Sequence, residues 1–291
     1  MILAAIDIGS NAARLLITEV IVLPEKPLFN KLNLFRVPLR LGFDVFENRI
    51  ISTERKKMML DTMQGYKFLM DAYEVENIIA CATSAMRDAE NATEVLDEVE
   101  KHTGIKIQVI TGDMEATLVY ENHIAENLDK NHSYLYIDVG GGSTELSFFS
   151  NGELVFKKSY DIGTIRILKN KVQDNVWEVL KNDMRIITKG QKEVVAIGSG
   201  GNINKIFSLS KKKDGKPLPI ELLRDYYREL ESFGIEDRII RYNLKADRAD
   251  VIVPALSIYI NVMRWANASE IYVPKIGLAD GLIRHLWDTL N

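Results

Sequence analysis

Across the first 21 residues, "MILAAIDIGSNAARLLITEVI", two mostly apolar runs, the first carrying Asp7 and the second Arg14, Thr18 and Glu19, flank the short turn Gly9-Ser10-Asn11. Apolar runs of this length bounded by turn residues predict two buried strands joined as a hairpin. A third strand is expected over residues 33–42, "NLFRVPLRLG", giving an antiparallel meander. From Ser52, a good helix cap, residues 52–73 carry apolar side chains at helical spacing and predict a long amphipathic helix. A buried strand at 77–83, one helix over 84–104 ending at Gly104, a strand at 105–111 and a helix from 113 to 128 follow. This alternation of strands and helices predicts a parallel portion of sheet.

After the polar stretch "ENLDKNHS", residues 126–133, the meander pattern begins again. "YLYIDVG", "TELSFFS", the turn Asn151-Gly152 and "ELVFKKSYDIG" repeat it. Helices, the strand "EVVAIGSGG" and another helix come next. The segment 208–219 reads as a loop, and the remainder as mostly helical apart from a strand at "EIYVP". The repeat predicts an α/β chain of two domains, 1–127 and 128–291, with mixed sheets facing a cleft and the last helix free to pack back on the first domain.

With 291 residues the chain suits two domains of ordinary size, and 46% apolar with 27% charged residues is a globular composition. A net charge of -4 argues against a nucleic-acid partner. Residues 251–263, "VIVPALSIYINVM", are fewer than the roughly 20 needed to span a bilayer and contain Pro254 and Asn261, so a buried helix is expected and no membrane partner. Cys81 is the single cysteine, and no basic leader precedes an apolar segment; both suit a reducing, cytoplasmic setting. The four histidines show no spacing that suits a zinc site.

The two hairpin turns share one plan. "AAIDIGSNAARLLI", residues 4–17, and "YIDVGGGSTELSFF", residues 136–149, each place an aspartate before a glycine turn with hydroxyl side chains. Gly9, Ser10 and Asn11 in the first, and Gly140, Gly141, Gly142, Ser143 and Thr144 in the second, offer amide nests and side-chain donors for phosphate oxygens. Either turn alone reads as a hairpin needing unusual φ angles. Duplication of the aspartate favours a phosphate clamp with a metal: Asp7, Asp138 and Glu145 supply carboxylates, and Mg²⁺ takes a few carboxylates with water and phosphate oxygens. "VVAIGSGGNINKI" fits a strand entering a glycine turn and a helix. There Gly198, Gly200 and Gly201 would serve either a nucleotide contact or close helix-to-strand packing. The lysine run 211–213 reads as a solvated loop that could also attract a polyanion.

These turns, together with "ATSAMRDAENA" (82–92), "ITGDMEATLVY" (110–120), "GSGGNINKI" (198–206) and "GLADGLIRHL" (277–286), resemble the exopolyphosphatase and guanosine pentaphosphate phosphohydrolase (Ppx/GppA) family. That family lies within the actin-like, ribonuclease H-like superfamily. The resemblance implies two actin-like domains, hydrolysis of a terminal phosphoanhydride of polyphosphate or of a guanosine nucleotide, and a homodimer. It makes Glu115 the group that orients and deprotonates the attacking water, and Arg87 a ligand of the transferring phosphate. It also assigns Asp138 and Glu145 to the metal. Without it, Glu115 is a solvated first-turn glutamate and Arg87 a surface arginine. Met114 stands where the family usually has a second glutamate, and Ala12 and Ala13 where a serine often follows the asparagine. The chain resembles the short, two-domain branch, implying short polyphosphate as substrate. A kinase of the same superfamily or a weakly catalytic sensor of nucleotide or polyphosphate are the alternatives.

Overall fold

A computed structural model describes residues 1–120, 132–191 and 193–291. The chain forms two compact units, Met1–Asn122 with Leu278–Asn291, and His123–Gly277. The boundary expected after residue 127 lies outside the described residues.

In the first unit β1 (Ile2–Ile8), β2 (Ala13–Ile21) and β3 (Leu28–Val37) form a meander followed by α1 (Leu41–Asn48) and α2 (Thr53–Ala72). Then come β4 (Asn77–Ala82), α3 (Ser84–Asp88), α4 (Ala92–Thr103), β5 (Gln108–Val109) and α5 (Gly112–Tyr120). The second unit opens with β6 (Ser133–Val139), β7 (Thr144–Ser150), β8 (Glu153–Tyr160), α6 (Thr164–Leu168) and α7 (Asp174–Ile187). It continues through β9 (Val194–Ser199), α8 (Gly201–Leu209), β10 (Leu218–Pro219), α9 (Ile220–Ser232), α10 (Ile235–Tyr242), α11 (Ala246–Ala249), α12 (Ile252–Trp265) and β11 (Glu270–Tyr272). The last helix, α13 (Leu278–Leu290), belongs to the first unit.

Strand order is β3-β2-β1-β4-β5 in one sheet and β10-β11-β9-β6-β7-β8 in the other. The wiring repeats. β1 is antiparallel to β2 and parallel to β4, as β6 is antiparallel to β7 and parallel to β9. In both units, therefore, the Asp-bearing strand is central and its hairpin turn sits at the carboxyl end of the parallel pair, where α/β sheets present ligand sites.

Where local structure departs from expectation, backbone hydrogen bonds explain it. The third strand runs earlier than expected and stops before Pro38, which has no N–H for a ladder. Arg40 then turns the chain at φ 56 into α1. The helix expected over 84–104 is broken, because Glu90 donates its amide to Arg49 O, and the Asn91 side chain brackets Ile51 by accepting from its N–H and donating to its carbonyl. The long helix begins as expected, with the Ser52 hydroxyl accepting from Arg55 N. The apolar segment near residue 255 is the buried helix α12 in the core of the second unit, with Leu256, Tyr259, Val262 and Met263 against Leu135 and Phe148. No described helix is long and apolar enough to cross a membrane.

In the first unit α13 returns to the sheet, with Leu278, Leu282 and Ile283 clustering with Leu3, Leu16 and Leu118. Gly281 is the crossing point, since a Cβ there would stand 1.8 Å from the carbonyl oxygen of Leu118 on α5.

Candidate active site

The two turns share the same closing hydrogen bond. Gly9 N–H donates to Ala12 O at 3.0 Å, and Gly140 N–H to Ser143 O at 2.9 Å. Counting along each hairpin, Ser10 therefore corresponds to Gly141, Asn11 to Gly142 and Ala12 to Ser143. Carbonyls of both turns are tied back by the segment that starts the next helix. Arg40 and Gly42 donate their amides to Asn11 O and Ser10 O. Thr164 and Ile165 donate theirs to Gly140 O and Gly141 O, and Arg166 Nε donates to Gly142 O at 2.7 Å. With the carbonyls engaged, the amides of Ser10, Gly141 and Gly142 have no acceptor among the described residues. That polarity is what an anion nest requires. Thr144 is used differently: its hydroxyl, fully buried, donates to Ile162 O at 2.5 Å.

Opposite each aspartate the two copies differ. In the first, Asp7 pairs in register with Arg14, whose Nη1 lies 2.7 Å from the carboxylate. Burial raises the Asp7 carboxyl above its usual range, against the pull of Arg14. In the second, Asp138 faces Glu145 across the β6–β7 ladder, which places their Cβ atoms about 5 Å apart on one face. Ser159 Oγ donates to Glu145 Oε1 at 2.8 Å. Two adjacent carboxylates beside an amide nest suit Mg²⁺, which fills the rest of its octahedron with water and phosphate oxygens. Asp7 in this arrangement has its charge compensated by Arg14. No group of three or more His, Cys, Asp or Glu able to hold a metal occurs among the described residues, so a metal here would depend on substrate oxygens and water.

Glu115 and Arg87 meet in the first unit. Thr111 caps α5, its hydroxyl accepting from Met114 N and its carbonyl from Glu115 N. Glu115 is thereby set in the first turn with only 8% of its surface exposed. Arg87, at the end of α3, donates from Nη1 to Ile110 O at 2.8 Å and to Glu115 Oε2 at 3.3 Å. Met114, by contrast, packs against the α13 cluster. Cys81, in register with Asp7, has its thiol pushed up to about 12 by burial and by the Asp7 and Glu115 carboxylates, so it is no nucleophile.

At the third glycine segment, a Cβ on Gly198 would meet Ile271 Cδ1 at 2.7 Å, so that glycine serves core packing. Gly200 has φ 108, and its missing Cβ makes room for Asp138 Oδ1 and Val139 O, each 3.2 Å away. Gly201 lies under Arg248, which donates to its carbonyl at 2.6 Å. The fully buried Tyr259 hydroxyl donates to Ser199 O, the residue in register with Asp138.

Sequence reasoning missed Ser84, Gly42 and the segment Gly163 to Arg166. The available signal was a glycine at the end of each meander, just where a helix follows. Gly163 is the clearest case: a Cβ there would lie 2.4 Å from backbone atoms of Gly141 and Gly142. Gly163→Ala is expected to force the second turn away from α6 and destabilise the fold by about 1–3 kcal/mol, read as a lower midpoint in urea unfolding.

The profile of the Ppx/GppA phosphatase family matches residues 26–289, and the chain belongs to that family. A bifunctional 3-dehydroquinate synthase/phosphatase from Fusobacterium nucleatum is 34% identical over 64% of this chain and 29% of its own. A guanosine-5'-triphosphate,3'-diphosphate pyrophosphatase from Pseudoalteromonas translucida is 26% identical over 97% of this chain and 57% of its own. The chain thus spans less than two thirds of these relatives. In fold it is similar to the solved structure of an exopolyphosphatase from Cytophaga hutchinsonii, with TM-score 0.83 and 22% identity over 99% of this chain and 98% of that one.

Proposed function

We propose that this chain is a phosphoanhydride hydrolase that releases terminal phosphate from inorganic polyphosphate, short chains preferred, or from guanosine pentaphosphate, by Mg²⁺-assisted attack of water. The observation that carries this reading is the buried Glu115 carboxylate held by Arg87 in the same unit as a turn whose Ser10 amide has no acceptor among the described residues. Glu115 is the group that orients the water and takes its proton. Arg87 holds Glu115 through Nη1 and can turn its remaining donors to phosphate oxygens, leaving the carboxylate available as base. The open Ser10 amide of the first turn binds oxygens that carry the developing charge. Mg²⁺ on Asp138 and Glu145 would neutralise phosphate charge. Because Arg14 compensates Asp7, that aspartate orients an arginine beside the first turn. A homodimer belongs to the same reading, and light scattering on eluted protein tests it.

Release of phosphate from short and long polyphosphate, guanosine pentaphosphate and ATP, with Mg²⁺ or with chelator, tests the proposal. Turnover of at least one of the first three that stops with chelator is expected. Phosphate transfer from ATP that depends on an added acceptor would replace the reading with a kinase, and tight binding without release would replace it with a sensor.

A further inference from the structure

Two hydroxyls in the first unit, those of Ser10 and Ser84, lie 2.8 Å apart and are each at most 3% exposed. Backbone bonds bring them together. Thr83 N–H donates to Ile8 O at 3.0 Å, fastening the start of α3 to the end of β1, and Gly42 N–H donates to Ser10 O on the other side of the turn. Two hydroxyls carry two hydrogens, and the bond between them uses one. Neither side chain makes another hydrogen bond among the described residues, so the second hydrogen has no acceptor among them. A buried donor left without an acceptor is destabilising, and that cost is removed when a ligand supplies the oxygen.

We propose that Ser84 is a positioning residue for phosphate binding. Its hydroxyl donates to Ser10 Oγ, which turns the Ser10 hydrogen outward, toward the same space as the open amide of Ser10. This rests on the hydrolase reading above for its substrate class, a terminal phosphate, but not for its measurement. Ser84 also stands three residues before Arg87 on α3. One short helix therefore orients both a neutral donor and a cation, and Ser84 acts through Ser10 rather than by touching the phosphate.

Orthophosphate affinity measured by calorimetry on the full chain reads the pair without turnover. Ser84→Ala is expected to weaken orthophosphate binding about 5–20-fold with an unchanged thermal midpoint, as expected for losing the orientation of one hydrogen bond to an anion. Ser10→Ala should weaken it at least as much, and the double variant no more than Ser10→Ala alone, because Ser84 has nothing left to orient. In kinetics the loss should appear in KM with kcat nearly constant, and Ser84→Cys, a weaker donor, should fall between wild type and alanine. Unchanged affinity in Ser84→Ala, or losses that multiply in the double variant, would overturn the assignment. A wild-type chain that binds orthophosphate but hydrolyses none of the substrates would sink the hydrolase reading and leave the Ser84 result standing.

Discussion

Replacing Glu115 by Gln is expected to lower phosphate release by about 10²–10⁴-fold, the usual contribution of a positioned general base. Gln keeps the length of the side chain and an oxygen that can still accept from Arg87 Nη1, which lies 3.3 Å from the present carboxylate. It has no basic site for the water's proton. The first-turn position on α5 is held by Thr111 and is untouched by the change. Because Arg87 loses a charged partner at a site only 8% exposed, urea unfolding should stay cooperative with stability lowered by about 1–3 kcal/mol. Glu115→Asp, which withdraws the carboxylate by one methylene while keeping its charge, should recover only part of the rate. Phosphate release by Glu115→Gln at the wild-type rate would remove Glu115 from the chemistry and with it the proposed mechanism.

The second large effect is expected at Gly281, far in sequence from any turn. A Cβ there would lie 1.8 Å from Leu118 O, well inside van der Waals contact and against backbone, which cannot swing aside. Gly281→Ala must push α13 away from α5 and open the cluster of Leu3, Leu16, Leu118, Leu278, Leu282 and Ile283. The expected cost is about 3 kcal/mol, at the upper end for overpacking, because no rotamer relieves the clash. Loss of phosphate release should accompany it, since Glu115 sits one turn before Leu118 on the displaced helix. Gly65→Ala on α2 is the matched control: its Cβ meets nothing within 4 Å, and alanine should stabilise that helix by about 0.5–1 kcal/mol. Equal stability of the two variants would show that the α13–α5 crossing is looser than the structure has it.

Much of the fold can be read from pattern alone. Apolar runs and turn residues located β1, β2, β6 and β7, and the Ser52 cap with helical spacing located α2. Expectation failed where a backbone group found a distant partner. Nothing local to residues 84–104 shows that Glu90 and Asn91 will bond to Arg49 and Ile51, so an unbroken helix was the reasonable expectation. The candidate site divides the same way. The glycines of both turns and their aspartates stand out by repetition, and Glu115 and Arg87 only through a family likeness. Ser84 carries no mark of its own, being one serine at the start of a helix.

By itself the sequence determined the repeated strand-turn-strand device, because strand and turn propensities act over a few residues and leave a period in the chain. It also determined that each turn would carry an aspartate at the same step. Tertiary structure decided what each aspartate does. Hairpins of equal turn length put position 14 opposite Asp7 and position 145 opposite Asp138, so one copy became an ion pair with Arg14 and the other a pair of carboxylates. It likewise decided that Arg87 reaches Glu115, that Ser84 meets Ser10, and that Gly281 admits α5. Those contacts join residues far apart in the chain, and only the sheet register and the crossing of helices, set by packing the whole unit, bring them within a few ångströms.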